Sequence, residues 1–252
     1  MGSLSGKTAI VTGGGTGVGK GIALALAKEG VDIAVVGRTE SKVKSVARQI
    51  EDIGRRALAI TCDVCKIDEI STAVGQTAAA FGRIDILVNN AQTPALGRIL
   101  DMSVEGFEVA FRSGTFATFH FMRACYPYLK KDRGIIINLG TSLAQHASTA
   151  GCGVYAATKQ AIRALTHAAA CEWGKDGIRV NTIMPLAMSE AMEGFLTHDP
   201  SYKDALVASV PLGYIGDCET DIGRAVVFLC GPDSRYITGA TIPLDGGMAN
   251  FG

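Results

Sequence analysis

The sequence predicts an α/β protein with a doubly wound parallel sheet and helices on both faces. Strand patterns and helix patterns alternate nearly throughout the chain, which is typical of a parallel sheet covered on both sides. No repeat, linker or low-complexity tract interrupts the alternation. The chain has 252 residues, of which 48% are hydrophobic and 19% are charged, so we expect one domain with a large core over residues 1–252.

Each element is predicted from a short apolar run or from apolar residues at helical spacing. The predicted strands cover residues 7–12, 31–36, 57–61, 84–88, 134–139, 178–183 and 240–244. The predicted helices cover residues 20–28, 39–53, 67–80, 104–130, 154–173 and 220–229. Residues 186–210 form a further segment, which we expect to be a lid over a ligand site.

A glycine-rich turn from Gly13 to Gly19 connects the first strand to the first helix. Glycine permits positive φ and lets the backbone approach a pyrophosphate, while the helix N-terminus offers free N–H groups and a positive dipole end. Many tight turns are glycine-rich for other reasons, so the strand-to-helix context carries the prediction. The turn therefore indicates a dinucleotide site in a Rossmann-like fold.

The end of the second predicted strand bears on the choice of dinucleotide. An acidic residue there would bind the adenosine 2′-hydroxyl of NAD(H), whereas an arginine can meet the 2′-phosphate of NADP(H). The chain has Gly37 and Arg38 at this place and no carboxylate at position 37. Arg38 favours NADP(H) over NAD(H), although it could also be an ordinary exposed arginine that opens the next helix.

Several polar residues follow predicted strands, at the edge where ligands of such sheets bind. Asp63 follows the third strand, Asn89 the fourth, Ser142 the fifth and Pro185 the sixth. Asp63 could also cap a helix, and Asn89 with its neighbour could satisfy loop backbone. The shared edge predicts one composite site.

Ser142, Tyr155 and Lys159 are the candidate catalytic residues. Tyr155 and Lys159 are four apart on a predicted helix, so they share one face at about 5–6 Å between Cβ atoms. A nearby ammonium stabilises phenolate and would lower the tyrosine pKa from about 10 toward the range useful for acid-base catalysis. Ser142 would hold the oxygen that Tyr155 protonates. For the Tyr-Lys pair alone, an amphipathic helix with a solvated lysine is the more common explanation.

Charge and hydropathy argue against two classes of partner. Lysine plus arginine equal aspartate plus glutamate at 24 each, so no global field attracts nucleic acid or an anionic membrane. No apolar run reaches about 18 residues, and the first residues lack the apolar core of a signal peptide. We expect a cytoplasmic protein that acts on a small molecule.

Seven cysteines are scattered through predicted strands and helices. An odd, scattered set fits reduced thiols better than a disulfide framework. Cys62 and Cys65 have the spacing of a metal-ligand pair, but no second pair or nearby histidine completes a site. We interpret this spacing as coincidental and expect no metal.

Taken together, these motifs resemble the short-chain dehydrogenase/reductase family over essentially the whole chain. Thr12-Gly13 with Gly17-Val18-Gly19 matches the family's glycine turn, and Asn89-Asn90-Ala91 matches its segment after strand four. Asp63-Val64 matches the adenine-contacting pair. Ser142 and the Tyr155-Lys159 motif fit the catalytic positions, Asn181 and Pro185 fit the strand-six motif, and Asp245-Gly246-Gly247 fits the C-terminal signature.

The resemblance implies roles for these residues. Ser142 would bind the carbonyl or alcohol oxygen, Tyr155 would donate or accept its proton, and Lys159 would bind the nicotinamide ribose and lower the tyrosine pKa. Hydride would pass directly between nicotinamide and substrate carbon. The expected cofactor contacts come from Gly13, Thr16, Gly17, Val18, Gly19, Arg38, Asp63, Val64, Asn89, Ala91, Tyr155, Lys159, Pro185 and Met188.

Four positions depart from the family pattern. Gly114 stands where the family usually has an asparagine that anchors a proton-relay water, and Gln92 replaces a glycine. Leu186 replaces a glycine after the strand-six proline, and Glu190 stands at a usual threonine position. Our hypothesis is that the catalytic residues still work, with a water or a neighbouring polar group serving in place of the missing amide.

The expected substrate pocket is mostly apolar, which suits a bulky hydrophobic ligand, although core packing under a lid would use the same residue types. Its expected members are Leu143, His146, Leu186, Met192 and Phe195. His146 is expected at the pocket rim rather than in catalysis.

The sequence thus favours an NADP(H)-dependent enzyme that interconverts a ketone and a secondary alcohol, on a hydrophobic cyclic or aromatic substrate. Two alternatives stay open: a 3-oxoacyl-carrier-protein reductase, and a cofactor-binding sensor or scaffold with a degenerate site. Small and apolar residues on the helices at 104–130 and 154–173, together with the resemblance, imply a homotetramer built on those helices.

Overall fold

A seven-stranded parallel sheet forms the centre of the computed structural model, which describes residues 2–145, 150–198 and 200–249. The spatial order of the strands is β3-β2-β1-β4-β5-β6-β7. The chain runs outward from β1 to β3 and then returns to place β4 on the other side of β1, which creates a switch point between β1 and β4. Their bounds are β1 (Thr8–Thr12), β2 (Asp32–Gly37), β3 (Ala57–Thr61), β4 (Ile86–Asn89), β5 (Ile135–Leu139), β6 (Arg179–Pro185) and β7 (Thr241–Leu244).

Helices cover both faces of this sheet, so the predicted doubly wound α/β fold is confirmed. One face packs against α1, α2 and α9, and the other against α3, α5 and α6. None of the described helices combines the length and apolar character needed to cross a bilayer. The helices are α1 (Gly17–Lys28), α2 (Glu40–Asp52), α3 (Ile67–Phe81), α4 (Val104–Phe111), α5 (Ala117–Asp132), α6 (Gly153–Trp173), α7 (Glu190–His198), α8 (Pro200–Ala208) and α9 (Arg224–Cys230).

Burial on both faces explains why the strands are continuous apolar runs. In β1, Ala9 and Val11 enter the core beneath α1, whereas Ile10 enters the opposite core. All three side chains have no exposed surface. Alternate residues of one strand therefore stabilise two separate cores, and a strand polar on one face would lose one of them.

The predicted helix at 104–130 differs from the structure, because a π-helical turn at Arg112–Phe116 separates α4 from α5. Ser113 supports this turn: its Oγ donates to the backbone oxygen of Val109 at 2.7 Å and accepts from the backbone N–H of Thr93 at 3.0 Å. A second π-helical turn, Cys218–Gly223, precedes α9 where the sequence predicts one regular helix from residue 220. The predicted lid segment contains α7 and α8.

A polar network beneath α6 joins this helix to three strands. Asn138 in β5 accepts from Nδ2 of Asn89 at 2.8 Å and donates to Oγ1 of Thr166 at 2.8 Å. Thr182 in β6 also donates to Oγ1 of Thr166, which in turn donates to the backbone oxygen of Ile162. Because these side chains are buried and linked by hydrogen bonds, the network holds α6 in one register on the sheet.

Candidate active site

A cavity of about 840 Å³ opens at the carboxyl ends of the strands, above the switch point between β1 and β4. Its wall takes residues from the segments after all six strands from β1 to β6, as expected for the ligand edge of such a sheet. Most of the predicted site residues meet in this wall. They are Gly13, Thr16, Gly17, Val18, Arg38, Asp63, Val64, Ala91, Ser142, Leu143, Tyr155, Lys159, Pro185, Leu186 and Met192.

Three predicted cofactor residues lie away from the cavity wall. Asn89 is buried in the sheet with its amide on Asn138, and it is Asn90 that reaches the cavity, donating to the backbone oxygens of Thr12 and Gly13. Gly19 packs inside the turn, where an added Cβ would lie 2.4 Å from the Gly13 oxygen. The backbone N–H of Met188 donates to the oxygen of Gly216. Asn89, Gly19 and Met188 therefore do not line the cavity, and their cofactor contacts stay predictions.

Two predicted pocket residues fall outside what the structure describes. His146 lies outside the described residues. Phe195 belongs to α7, but its side chain is not among those described. Their roles stay predictions.

The glycine turn has the backbone that an anion cradle needs. Gly13 and Gly17 have φ of 64° and 53°, and a Cβ on Gly13 would lie 2.6 Å from Nδ2 of Asn90. Helix α1 begins at Gly17, whose N–H donates to the Glu190 carboxylate at 2.7 Å. This carboxylate stands where a phosphate oxygen would be bound, at the positive end of the helix dipole. The residues of the turn thus fit a pyrophosphate.

Two cations flank the cavity at the end of β2. Arg38 and Lys42 are both exposed, and both line the cavity wall. Lys42 was not predicted from the sequence. Neither forms an ion pair within the described part of the chain. The sequence feature that could have indicated Lys42 is its place in the first turn of α2. In the structure this turn faces the glycine turn, and Cβ of Lys42 lies 3.1 Å from where a Cβ of Gly15 would be.

The candidate catalytic residues Ser142, Tyr155 and Lys159 all line the cavity. Ser142 follows β5 and is only 3% exposed, and Lys159 on α6 is 6% exposed. Nζ of Lys159 donates to the backbone oxygen of Leu139 at 2.8 Å and lies 5.7 Å from the centroid of the Tyr155 ring. The three groups needed to hold and protonate a carbonyl oxygen therefore line the same cavity.

Burial controls the acidity of this pair. It lowers the pKa of Lys159 to about 7, so the lysine loses much of its charge near neutral pH. Burial also raises the pKa of Tyr155, against a hydrogen bond with the Thr141 side chain that lowers it. This direction is opposite to the lowering of the tyrosine pKa by Lys159 that the sequence suggested. The reason is that burial of Tyr155 itself disfavours the charged phenolate. Thr141 is a second residue that sequence reasoning missed.

Gly114 lies next to Gln92, the second position that departs from the family pattern. A Cβ added at Gly114 would lie 3.0 Å from Nε2 and 3.1 Å from Cδ of Gln92. The Gln92 amide therefore fills the space that a side chain at position 114 would need. Two changes that are distant in sequence are adjacent in the structure.

Burial raises the pKa of both thiols of the Cys62 and Cys65 pair. Cys62 is buried, and burial raises its pKa to about 12, which leaves an inert thiol. Across the residues the structure describes, no group of three or more histidine, cysteine and acidic residues could hold a metal ion.

Comparison with known proteins gives a consistent answer. The family model described as enoyl-(acyl carrier protein) reductase matches residues 13–249. A 12alpha-hydroxysteroid dehydrogenase from Clostridium sp. is 43% identical over 256 residues, covering 98% of each chain. A 3-oxoacyl-[acyl-carrier-protein] reductase from Staphylococcus epidermidis is 34% identical, covering 96% of this chain and 98% of the relative. The chain belongs to the short-chain dehydrogenase/reductase family.

Solved structures agree with this assignment. A 7 alpha-hydroxysteroid dehydrogenase complexed with NADH and 7-oxo glycochenodeoxycholic acid is 29% identical with a TM-score of 0.92, covering 98% of this chain and 95% of that chain. A short-chain dehydrogenase from Burkholderia cenocepacia in complex with NADP is 33% identical with a TM-score of 0.90, covering 98% and 99%. This short-chain dehydrogenase/reductase is an NAD(P)-dependent oxidoreductase of ketones and alcohols.

The Glu190 contact leads to a prediction about cofactor binding by this short-chain dehydrogenase/reductase. Because its carboxylate competes with phosphate for the Gly17 N–H, Glu190→Gln and Glu190→Thr should lower the NADPH dissociation constant by about tenfold, equivalent to about 1.4 kcal/mol. Fluorescence titration with NADPH measures this. Glu193→Gln changes an exposed carboxylate in the same helix and should leave the constant unchanged. Equal NADPH dissociation constants for wild type and both Glu190 variants would contradict competition between Glu190 and phosphate for the Gly17 N–H.

Proposed function

We propose that this enzyme uses NADP(H) to interconvert a hydroxyl group and a ketone on a hydrophobic polycyclic substrate of the hydroxysteroid class. The observation that carries the proposal is that Ser142, Tyr155 and Lys159 line a cavity whose wall also contains apolar side chains. The 43% identity to a 12alpha-hydroxysteroid dehydrogenase supports the substrate class. A ring position corresponding to carbon 12 of a steroid is the first to test.

The proton chemistry follows from the two pKa directions. When bound, NADP(H) supplies or accepts the hydride. For ketone reduction, Ser142 donates a hydrogen bond to the carbonyl oxygen and orients it toward Tyr155. Burial keeps Tyr155 protonated at neutral pH, so its O–H bond can break as the new O–H bond of the alcohol forms. In the oxidative direction the same proton moves from the alcohol to the phenolate.

The chain also has groups to hold each part of the cofactor. The N–H groups at the start of α1 suit the pyrophosphate, and Arg38 with Lys42 suits a 2′-phosphate. Lys159 donates to Leu139 and retains further N–H donors for a ribose hydroxyl.

Apolar residues in the cavity wall support a rigid apolar substrate. Leu143, Leu186 and Met192 line the cavity, and Leu186 is almost fully buried. Because Leu186 replaces a glycine of the family pattern, the cavity wall of this chain has an apolar side chain at that position. Fused rings bury more apolar surface there than a flexible chain does, and they lose less conformational entropy on binding.

A substrate panel tests the proposal. NADPH oxidation is followed with 12-oxo, 7-oxo and 3-oxo steroids, with a small cyclic ketone and with a 3-oxoacyl thioester. We expect the 12-oxo steroid to give the highest kcat/KM. Turnover of the thioester alone would support a 3-oxoacyl-carrier-protein reductase instead, the activity named for the Staphylococcus epidermidis relative. NADPH binding without turnover of any compound would support a sensor.

Arg38 provides a test of the cofactor preference. Arg38→Asp should reduce the NADPH-to-NADH ratio of kcat/KM by about 10- to 100-fold, because a charged hydrogen bond of about 1.5–3 kcal/mol is lost. Arg48→Asp makes the same charge change at an exposed position of α2 and should leave the ratio unaltered. An unaltered ratio in Arg38→Asp would contradict the preference for NADP(H).

The homotetramer and the cytoplasmic location stay predictions. A set of exposed apolar side chains near α4 and the π-helical turn supports self-association, since large exposed apolar patches commonly mark interfaces. Next to them, a groove of about 380 Å³ separates α4 from the start of α6. Sedimentation of the purified chain measures its mass against the 26.3 kDa of one copy. The exposed residues are Ile99, Leu100, Val104, Phe107, Phe116 and Phe119.

A further inference from the structure

We propose that Leu96 sets the preference of this enzyme for large apolar ketones over small ones, by covering the part of the substrate that extends away from the reacting carbon. The inference rests on the proposed ketone reduction. Leu96 belongs to the connection between β4 and α4, and it lines the same cavity as Ser142, Tyr155 and Lys159. It was not predicted from the sequence.

A backbone contact places Leu96 near the catalytic tyrosine. The N–H of the next residue, Gly97, donates to the backbone oxygen of Gly151 at 2.7 Å. Gly151 is followed by Cys152, which also lines the cavity, and Tyr155 comes three residues later in α6. Leu96 therefore lies beside the start of the helix that carries the general acid.

The connection is held on both sides of Leu96. Before it, the N–H of Thr93 donates to Oγ of Ser113 at 3.0 Å. After it, Gly97 has φ of 143°, a conformation that favours glycine, and it makes the bond to Gly151. Because both flanks are bonded to other segments, little conformational entropy is lost when a ligand contacts Leu96.

The Leu96 side chain is 59% exposed although it lines the cavity, and it belongs to neither core cluster of the described structure. It therefore contributes little to folding, and much of its apolar surface is available to a ligand. Binding gains free energy in proportion to the apolar area removed from water. A small ketone held at Tyr155 leaves Leu96 in water, whereas a larger apolar ketone covers it.

The rest of the wall also favours an apolar occupant. Leu206 of α8 and Met248 of the segment after β7 line the same cavity, and Oγ of Ser209 donates to Sδ of Met248 at 3.8 Å, which links these two segments. The cations among the described wall residues are the three that suit the cofactor. They are Arg38, Lys42 and Lys159. The expected ligand of Leu96 is thus a neutral apolar group.

The first experiment varies residue 96 and substrate size together. Leu96→Ala should raise KM for a tetracyclic ketosteroid by about tenfold with kcat changed less than about twofold, because the contact is the same in the ground state and the transition state. KM for a small cyclic ketone should change by less than about twofold. Leu212→Ala removes the same atoms at a position that is 65% exposed and outside the described wall, so it should match wild type with both ketones.

Two further variants separate apolar contact from side-chain shape. Leu96→Asn keeps a similar volume but exposes an amide to the ligand, so it should raise KM for the ketosteroid at least as much as Leu96→Ala. Leu96→Met keeps the apolar surface and should stay within about threefold of wild type. Thermal melts of all variants identify any loss caused by unfolding.

Binding without hydride transfer separates this inference from the proposed function. Calorimetric titration of the ketosteroid into enzyme saturated with NADP⁺ gives its dissociation constant, because the oxidised cofactor has no hydride to transfer to the ketone. We expect Leu96→Ala to raise this constant by about tenfold. A wild type that binds the ketosteroid but does not reduce it with NADPH would reject the proposed function, and the same titration would still test Leu96.

A wild type that reduces 3-oxoacyl thioesters and no steroid would likewise reject the proposed substrate class. The effect of Leu96→Ala on KM should then grow with the length of the acyl chain. Equal effects on large and small substrates would overturn the role of Leu96. A folded Leu96→Ala enzyme with unchanged KM and dissociation constant for the large ketone would do the same.

Discussion

Tyr155→Phe should slow ketone reduction by about 10² to 10⁴-fold, the range typical of a lost general acid, while NADPH binding stays within about threefold of wild type. Phenylalanine keeps the ring and the packing but removes the O–H that reaches the substrate oxygen. Lys159 cannot take over, because its Nζ is bound to the Leu139 oxygen and lies 5.7 Å from the ring centroid. Steady-state NADPH oxidation with the best ketone, together with NADPH titration, measures both effects.

The acidity of Tyr155 adds a pH signature to this result. Since burial raises the tyrosine pKa, the phenol stays protonated through neutral pH, and kcat for reduction should fall only under alkaline conditions. Tyr236→Phe alters a fully exposed tyrosine and should match wild type. A Tyr155→Phe enzyme that retains more than a tenth of the wild-type kcat would remove Tyr155 from the mechanism.

Lys159→Met should give a protein that is nearly inactive and yet more stable than wild type. The buried ammonium has a pKa of about 7, well below its usual 10.5, so folding costs up to about 4–5 kcal/mol when the group is charged in the unfolded chain. Methionine removes this cost. It also leaves the Leu139 oxygen without its donor, which destabilises the folded variant by about 1–3 kcal/mol. We expect a net gain of about 1–3 kcal/mol in the free energy of unfolding at pH 7.

The pH dependence gives the sign of this effect. Between pH 7 and about 10 the unfolded chain binds a proton at Lys159 that the folded chain does not, so wild-type stability rises with pH across that window. The advantage of Lys159→Met should therefore be largest at pH 7 and below, and should shrink toward pH 10. Urea unfolding at several pH values measures it. Lys203→Met, at an exposed position of α8, should show no such trend.

Two results would contradict a lysine whose charge is destabilised by burial. One is a Lys159→Met protein that is less stable than wild type at pH 7. The other is a difference in the free energy of unfolding that is the same at every pH. The kinetic part is separate: kcat should fall by about 10²-fold or more, because an orienting donor to the cofactor is lost. NADPH titration shows how much of the loss arises from weaker binding.

The parts of this fold that could be predicted from sequence are those with local signals. Buried strands are continuous apolar runs, so β2 could be located within one residue of its observed bounds, Asp32–Gly37. The catalytic residues could be found because Tyr155 and Lys159 are neighbours on one helical face and Ser142 follows a strand. The π-helical turn at Arg112–Phe116 could not, since one added residue hardly disturbs the spacing of apolar side chains.

The missed features depend on tertiary structure. The contact between Gly17 and Glu190 spans 173 residues, and no local pattern brings the two together. The Gln92 amide meets Gly114 only because the loop after β4 lies over the π-helical turn. The Lys159 pKa likewise depends on burial by several elements. The sequence shows that a lysine is present, but it does not show how deeply its side chain is buried.

The network that joins Asn138 to Thr166 and Thr182 has a practical consequence for engineering. A helix anchored from below by three strands keeps its reactive side chains in place when residues on its outer side are exchanged. A mutant library that seeks a new substrate can therefore vary the apolar wall at Leu186 and Met192. It should leave the buried hydroxyl and amide positions beneath the helix untouched, since their loss would let the whole helix shift.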